Sequence, residues 1–222
     1  MKILAISPHP DDETLGCGGT LLRHKSEGHE IHWLIITEAQ VPQWTSDYIE
    51  RKAQEVQAVG KAFGMASIVK LGFPTIRLDT VPQAELIDRM RQVIAAVQPD
   101  VVYLVHSGDV HSDHLAVFTA AMSVLKTFYM KALGVKRVLS CETLSSTEAA
   151  PPQPHRTFIP NIYVDVSNHI ERKIEIMAMY STEVQDDPFP RGPSAIRALA
   201  RYRGASIGVD YAEAFMLIRE VS

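Results

Sequence analysis

Cysteine, basic runs and long apolar segments are all scarce in this chain. Its two cysteines, Cys17 and Cys141, give no disulfide framework, and the amino terminus lacks the charged-then-apolar pattern of a signal peptide. No apolar run approaches the roughly 20 residues that span a bilayer. We therefore expect a cytoplasmic protein that does not insert into membranes.

The charge balance excludes a further class of partner. Lys and Arg number 22 against 26 Asp and Glu, the net charge is −4, and no basic run occurs. Nothing therefore points to nucleic acid or to an anionic membrane surface as a partner. The chain instead has 222 residues with 46% hydrophobic content, which suits one globular domain with a sizeable core. No linker or internal repeat divides it, so we expect a single domain over residues 1–222.

Apolar runs typical of strands alternate along the chain with amphipathic segments typical of helices. This alternation predicts an α/β fold with a doubly wound, Rossmann-like, mostly parallel sheet and helices on both faces. The usual strand order 3-2-1-4-5 makes the first and fourth strands neighbours, and ligands bind between their carboxyl ends. The predicted strands cover residues 2–6, 29–37, 67–71, 100–105, 136–143, 161–166 and 212–219.

A histidine and three acidic residues follow the first predicted strand: His9, Asp11, Asp12 and Glu13. Prolines on both sides of the histidine restrict the backbone, so these side chains are presented in few directions. One carboxylate would be enough to complement the amino terminus of the next helix, an effect worth about 0.3–1 kcal/mol. Three adjacent carboxylates repel one another, and this repulsion favours a bound cation. The turn is therefore a candidate functional site.

The loop after the fourth predicted strand carries five more residues of the same types: His106, Asp109, His111, Asp113 and His114. His111 and His114, three residues apart at a predicted helix start, lie roughly on one side of that helix. The topology predicts that this loop faces the turn after the first strand. Imidazole and carboxylate ligands suit a divalent metal, zinc above other ions, and three protein ligands plus water is the pattern of a catalytic zinc site.

Three glycines near the first turn raise the alternative of a dinucleotide-binding loop. Gly16, Gly18 and Gly19 fall inside the predicted helix, however, whereas the G-x-G-x-x-G pattern occupies the turn between strand and helix. The turn itself is acidic and would repel a pyrophosphate group. A metal site is therefore the better prediction. Cys17, about 140° round the helix from Asp12, is expected to face the core.

Two motifs in these loops resemble signatures of a known family. Residues 9–13, HPDDE, resemble the (A/P)HPDDE signature of the LmbE-like, or PIG-L, deacetylases, and residues 111–114, HSDH, resemble their HxDH signature. Members of that family are metal-dependent hydrolases that remove acetyl groups from N-acetylglucosamine-type sugars. Softer matches, which extend the resemblance over nearly the whole chain, lie at Arg51 and at residues 14–22, 142–143, 202–204 and 211–215.

The resemblance also implies roles for individual residues. Asp11 becomes the general base, and His111 stabilises the oxyanion or protonates the leaving amine while Asp113 orients His111. These roles agree with general chemistry, because a carboxylate can take the proton of a zinc-activated water and an imidazole can serve as a proton donor. The implied metal ligands are His9, Asp12 and His114.

Four further residues are expected at the substrate, and each also has a structural alternative. Arg51, in the second predicted helix, either is solvated or donates hydrogen bonds to sugar hydroxyls. Asp109, close to the position where some family members carry a tyrosine, either contacts the substrate or holds the loop. Arg203 and Glu213 are expected at the substrate because of the weaker family matches near the carboxyl terminus. In addition, Trp44 either stacks on a sugar ring or packs at the rim.

These observations predict a single-domain, zinc-dependent N-deacetylase of the LmbE-like type that acts on an N-acetylated amino sugar or its conjugate. The metal could instead be another divalent transition ion, and the identity of the sugar's aglycone is left open. Two alternatives are kept: a metal-dependent amidase for a non-sugar acyl amide, and a metal- or sugar-binding protein without turnover. The expected partner is a small-molecule amino sugar, and the oligomeric state, including a homo-oligomer, is left open.

Overall fold

Seven strands form one sheet in the computed structural model, which describes residues 1–222. The strands are β1 (Lys2–Ser7), β2 (Glu30–Glu38), β3 (Ser67–Pro74), β4 (Val101–Val105), β5 (Arg137–Cys141), β6 (Ile162–Asp165) and β7 (Ala212–Glu220). The helices are α1 (Asp12–Ser26), α2 (Ser46–Phe63), α3 (Gln83–Val97), α4 (Ser112–Val124), α5 (Thr127–Met130), α6 (Ile170–Met177) and α7 (Pro193–Ala205). Short 3₁₀ turns lie at Leu78–Thr80 and Pro154–Arg156.

The spatial order of the strands is β3-β2-β1-β4-β5-β7-β6. The first five strands are parallel and follow the predicted order 3-2-1-4-5, so β1 and β4 are neighbours. β7 lies between β5 and β6 and is antiparallel to both, an arrangement that the sequence did not predict. The predicted fold class, α/β with a mostly parallel sheet, is confirmed.

Side chains of β1 alternate between two hydrophobic cores, one on each face of the sheet. Ile3 and Ala5 belong to the core beneath α1, α2, α6 and α7, whereas Leu4 and Ile6 belong to the core beneath α3 and α4. Because both faces are covered, the central strands are continuously apolar rather than alternating with polar residues. The loops that follow β1 and β4 are therefore attached to rigid elements. None of the helices is both long and apolar enough to cross a bilayer.

The first turns of α1 pack directly on β5. A Cβ added to Gly16 would lie 2.5 Å from Sγ of Cys141, so this approach requires glycine. Cys17 is buried in the core, as predicted, and the helix is kinked there, with φ −144° and ψ 17°. The start of α1, which carries part of the predicted site, is thereby held against the sheet.

Candidate active site

The loops after β1 and β4 meet at the carboxyl edge of the sheet, because these two strands are parallel neighbours. His9 Nε2 lies 2.9 Å from Oδ2 of Asp113, although the two residues are 104 positions apart in the chain. His114 Nε2 lies 3.2 Å from Oδ1 of Asp12. The structure thus brings together the two groups of histidine and aspartate that the sequence placed in separate loops.

Asp12 stands between two imidazoles, and these three residues (His9, Asp12 and His114) are termed the strand-edge cluster. Oδ2 of Asp12 lies 3.4 Å from His9 Nδ1, and its Oδ1 lies 3.2 Å from His114 Nε2. Ligands on a tetrahedral zinc ion, each about 2.0–2.1 Å from the metal, stand roughly 3.3 Å apart. A nitrogen of His111 is also near, since nitrogens of the three histidines lie within 4.8 Å of one another. The donor set therefore fits the divalent metal that the family resemblance implies.

Each histidine of the strand-edge cluster uses its other ring nitrogen to contact a buried carboxylate. His9 Nε2 is 2.9 Å from Asp113 Oδ2, and His114 Nδ1 is 2.7 Å from Asp109 Oδ2. With protons on these outer nitrogens, the inner nitrogens keep free lone pairs, which is the tautomer that a metal ligand needs. Asp109 and Asp113 thus position the rings that face Asp12.

These contacts favour one of the two roles left open for Asp109 and correct the role expected for Asp113. Asp109 holds the loop and does not line the cavity, because its Oδ1 also accepts a hydrogen bond from Thr147 Oγ1 at 2.6 Å. Asp113, expected to orient His111, orients His9 instead. The remaining acceptor capacity of Asp113 is taken by two backbone N–H groups of the segment after β3.

Electrostatics in the strand-edge cluster favour positive charge. Burial opposes protonation of His9, but hydrogen bonds to Asp113 and Asp12 outweigh it and raise its pKa to about 9. Burial likewise opposes protonation of His114, while Asp12 and Asp109 raise its pKa to about 10. Although burial would raise it, the pKa of Asp12 lies well below its usual range because both imidazoles contact the carboxylate. A divalent cation would meet the same demand for positive charge.

Asp11 is held in a strained backbone conformation immediately before α1. Its φ is +128°, a region that disfavours residues with a side chain, and such strain costs on the order of 1–3 kcal/mol. Its carboxylate lines the cavity, where Oδ2 accepts a hydrogen bond from Arg191 Nη1 at 3.3 Å. Burial, followed by the charges of Asp12 and Glu183, raises the pKa of Asp11 well above its usual range. A carboxyl group in this environment is suited to proton transfer.

His111 faces the same cavity but differs from the other two histidines. Its Nδ1 accepts a hydrogen bond from the backbone N–H of Asp113 at 3.2 Å and thereby caps α4. The proton of the neutral ring is consequently on Nε2. Burial, followed by the charges of His9 and His114, lowers the pKa of His111 to about 4. The ring is therefore a neutral hydrogen-bond donor near pH 7.

A cavity of about 370 Å³ opens beside the strand-edge cluster. This volume lies within the range of about 300–1,000 Å³ that is typical of small-molecule sites. Its walls come from the turn after β1, the segment from β2 into α2, the end of β3, the loops after β4 and β5, and the segment before α7. Beyond the cluster, polar and aromatic residues of the wall include Trp44, Tyr48, Lys52, Ser145, Glu183 and Arg191.

The family model described as PIG-L, GlcNAc-PI de-N-acetylase, matches residues 4–125, which is more than half of the chain. The chain belongs to the PIG-L family. The matched segment runs from β1 through α4 and so contains the whole strand-edge cluster. The family predicted from the HPDDE and HSDH motifs is confirmed.

Relatives of this PIG-L protein include deacetylases from two organisms. The uncharacterized deacetylase YaiS of Escherichia coli (strain K12) is 32% identical over 156 residues, which cover 68% of this chain and 78% of that protein. The diacetylchitobiose deacetylase of Thermococcus kodakarensis is 22% identical over 228 residues, which cover 98% of this chain and 83% of that protein. Among solved structures, the conserved protein TT1542 from Thermus thermophilus is 28% identical, with a TM-score of 0.77. That match covers 99% of this chain and 96% of TT1542, so the likeness extends over the whole fold.

Three residues that the resemblance implied at the substrate lie elsewhere in this PIG-L protein. Arg51 is exposed on α2 and does not line the cavity. Arg203 forms a bidentate ion pair with Glu142, with both N···O distances at 2.7 Å. Glu213 pairs with the buried Nζ of Lys173 at 2.7 Å and accepts two hydrogen bonds from the backbone of α1. The contacts of Arg203 and Glu213 hold α7 and α1 in place, and none of the three residues lines the cavity, so the structure does not support the expected substrate roles.

Three cavity residues were not predicted from the sequence. Lys52 Nζ contacts Glu183 Oε1 at 2.6 Å, and Arg191 Nη1 contacts Glu183 Oε2 at 2.7 Å. Helical periodicity could have marked Lys52 as inward-facing, since it lies one turn before Val56 on the buried apolar face of α2. Arg51 lies about 100° away from Lys52 around the helix, off that face. Glu183 and Arg191 lie in the irregular segment before α7, where no periodicity marks an inward face.

Proposed function

We propose that this protein is a zinc-dependent N-deacetylase that hydrolyses the N-acetyl group of an amino sugar or of an amino-sugar conjugate. One observation carries the proposal: Asp11 lies beside the His9–Asp12–His114 donor set and faces a cavity of about 370 Å³. Metal-assisted amide hydrolysis needs this combination of a cation site and an adjacent base. Membership of a de-N-acetylase family supports an N-acetylated substrate.

The strand-edge cluster would hold the metal, with Asp113 and Asp109 fixing its two rings. Zinc suits two imidazoles and a carboxylate, and other divalent transition ions would bind the same donors. When bound, the ion would supply a Lewis acid that polarises the acetyl carbonyl and makes water more acidic.

Asp11 would accept a proton as water attacks the carbonyl carbon of the acetyl group. Its Oδ2 is held by Arg191, which is fixed in turn by Glu183, so the carboxylate has a defined direction. The C–N bond breaks when the amide nitrogen receives a proton, and protonated Asp11 is a nearby source of that proton. One residue would thus act first as base and then as acid, and the raised pKa favours the second step, in which protonated Asp11 is the donor.

His111 would donate its Nε2–H to the acetyl oxygen as negative charge develops there. The hydrogen bond from the backbone of Asp113 to Nδ1 supports this role, because it leaves the only ring proton on Nε2. Of the two roles that the sequence left open for His111, this contact favours oxyanion stabilisation over protonation of the amine.

The remainder of the cavity wall suits a sugar unit. Trp44 and Tyr48 offer aromatic faces to the apolar side of a pyranose ring, and Lys52 and Glu183 offer hydrogen-bond partners to hydroxyl groups. A substrate with its acetyl group at the strand-edge cluster would place its ring against these residues.

An acetate-release assay tests the proposal. The zinc-loaded protein should release acetate from members of a panel of free, nucleotide-linked and lipid-linked N-acetyl amino sugars. A chelator should abolish the release, and added zinc should restore it. A matched panel of N-acetylated amines without a sugar tests the amidase alternative. Activity confined to that second panel would overturn the sugar assignment, and zinc binding without acetate release from either panel would overturn the hydrolase assignment.

A further inference from the structure

A second group of metal-ligating side chains lies at the other end of α1, roughly 18 Å along the helix from the strand-edge cluster. It consists of His24, Glu27 and His29, where α1 ends and β2 begins, and is termed the helix-end cluster. Each of its residues offers one ligand atom, and these atoms lie within 4.8 Å of one another. We propose that the helix-end cluster is a second binding site for a divalent transition-metal ion, with zinc preferred.

The backbone at the end of α1 brings the two histidines together. Gly28 adopts a left-handed conformation, with φ +80°. The N–H groups of Gly28 and His29 donate to the carbonyls of Lys25 and His24, respectively, each at 3.0 Å. This is the hydrogen-bond pattern of a Schellman motif, in which the side chains at the positions of His24 and His29 meet, commonly as an apolar contact. Here the contact joins two imidazoles, whose Nδ1 atoms are 2.9 Å apart.

Both of these facing Nδ1 atoms can be ligands without loss of a proton. The Nε2 of His24 lies 2.9 Å from the hydroxyl oxygen of Tyr103, which is buried. When His24 donates from Nε2 to this oxygen, its Nδ1 lone pair is free, and His29 has the same neutral tautomer available. Without an ion, one Nδ1–H can donate to the other Nδ1 across this distance, and a bound cation would take the place of that shared proton. Tyr103 is thus the outer partner that ligating histidines have in metal sites.

Glu27 completes the donor set. Its Oε1 forms an ion pair with Arg23 Nε at 2.9 Å, whereas its Oε2 faces the histidines, at 4.0 Å from His24 Nδ1 and 3.8 Å from His29 Nδ1. Arg23 therefore restrains the carboxylate without occupying the oxygen that faces the site. Two imidazole nitrogens and one carboxylate oxygen select zinc-like ions over magnesium and calcium.

The surroundings of the helix-end cluster also suit a cation. All three residues lie at the carboxyl end of α1, where the helix dipole favours positive charge. The side chains are 14%, 42% and 17% exposed for His24, Glu27 and His29, so an ion can enter and complete its coordination with water. A bound ion would tie the end of α1 to the start of β2. We therefore expect zinc to stabilise the folded state from this site.

Zinc content at a buffered free-zinc concentration tests the proposal. Wild-type protein should bind about two ions per chain, one at each cluster, and His29→Gln should bind about one. His155→Gln is the matched control, because it removes an exposed histidine that belongs to neither cluster and should retain the wild-type content. Tyr103→Phe keeps all three ligands and should weaken binding at the helix-end cluster about 10-fold or more.

Asp12→Asn separates this site from the strand-edge cluster. It should lose the ion at the strand edge and keep the one at the helix end, the reverse of His29→Gln. Glu27→Gln, an exposed substitution that does not disturb packing, should also weaken binding at the helix end. Full zinc content in both His29→Gln and Glu27→Gln would overturn the proposal. Wild-type protein with a single zinc ion that Asp12→Asn loses would overturn it as well.

Discussion

The strand-edge cluster and the helix-end cluster contain the same donor types but are built in opposite ways. The first joins residues from two distant loops and is braced by two buried carboxylates, Asp109 and Asp113. The second comes from one helix end, is partly exposed, and is braced by a neutral phenol, Tyr103. A charged outer partner raises the basicity of a ligating imidazole more than a phenol does. We therefore expect tight binding and chemistry at the strand edge, and weaker binding with an effect on stability at the helix end.

The largest effect is expected from Asp11 and Asp12, since the strand edge has a further carboxyl group, Asp11, beside its donor set and the helix end has none. Asp11→Asn keeps the shape of the side chain but removes the basic oxygen, so kcat should fall about 100- to 10,000-fold while zinc stays bound. Asp12→Asn should lose zinc at the strand edge, because a neutral amide is a poorer ligand than a carboxylate. Zinc content and kcat are measured for both variants at one free-zinc concentration. Zinc loss in Asp11→Asn alone would reverse the two roles.

A second comparison concerns the outer partners of the ligating histidines. Asp109→Asn should lower the zinc affinity of the strand-edge cluster about 10- to 100-fold, because it replaces the carboxylate that fixes His114. Competition with a chromophoric chelator measures this affinity. Asp88→Asn, at an exposed position of α3, is the control and should bind zinc as the wild type does. An equal zinc affinity for the two variants would mean that the contact between Asp109 and His114 does not contribute to zinc binding.

Arg191 restrains the base at the strand edge and has no counterpart at the helix end. Arg191→Met removes its contacts with Asp11 and Glu183, each a hydrogen bond between charged groups worth about 1.5–3 kcal/mol. We expect kcat to fall about tenfold with unchanged zinc content, and Arg191→Lys to recover part of the loss. Steady-state kinetics and metal analysis of both variants check this. Loss of zinc in Arg191→Met would contradict a role limited to Asp11.

The cavity beside the strand edge should make a smaller contribution through substrate binding. Trp44→Ala should raise KM about fivefold to tenfold, because an aromatic stacking contact contributes about 1 kcal/mol. Zinc content and kcat should change little. Arg51→Ala, on the exposed side of the same region, is the control and should leave KM unchanged. If Arg51→Ala also raised KM, its substrate role expected from the family resemblance would be restored.

The smallest effect is expected from the backbone that builds the helix-end cluster. Gly28→Ala places a Cβ where it meets nothing within 4 Å, so the cost is the left-handed conformation alone, about 1 kcal/mol of unfolding free energy. Zinc affinity at the helix end should fall as well. Gly208→Ala is a matched control, because Gly208 has φ +76° and equal space but lies outside both clusters. Urea unfolding without zinc should give similar losses for both variants, and only Gly28→Ala should alter zinc binding.

Much of the fold was predictable because its signals are local. Apolar runs and turn residues mark the strands, and the handedness of parallel crossovers restricts their order, so the adjacency of β1 and β4 followed from the pattern. The insertion of β7 between β5 and β6 did not follow, since a strand's own residues do not record whether its partner runs parallel or antiparallel. α6 and α7 lie between β6 and β7 in the chain and pack in one core on the same face of the sheet.

The candidate site also has one part that the sequence predicted and another that it did not. The HPDDE and HSDH motifs marked the residues that converge, because each motif follows a strand whose position the topology determines. Glu183 and Arg191, which reach the cavity from an irregular segment, carried no such mark. Arg203 and Glu213 matched the family pattern but bond to Glu142 and Lys173 away from the cavity.

By itself the sequence determined the α/β class, the order of the first five strands, and the meeting of two groups of histidine and aspartate. Only the tertiary structure decided which partner each group has: Asp113 on His9 rather than His111, Asp109 on His114, and Arg191 on Asp11. The physical reason is the distance along the chain over which each effect acts. Periodicity and turn preferences act over a few residues, whereas a hydrogen bond forms or fails over a few tenths of an ångström between residues that only the packed core brings together.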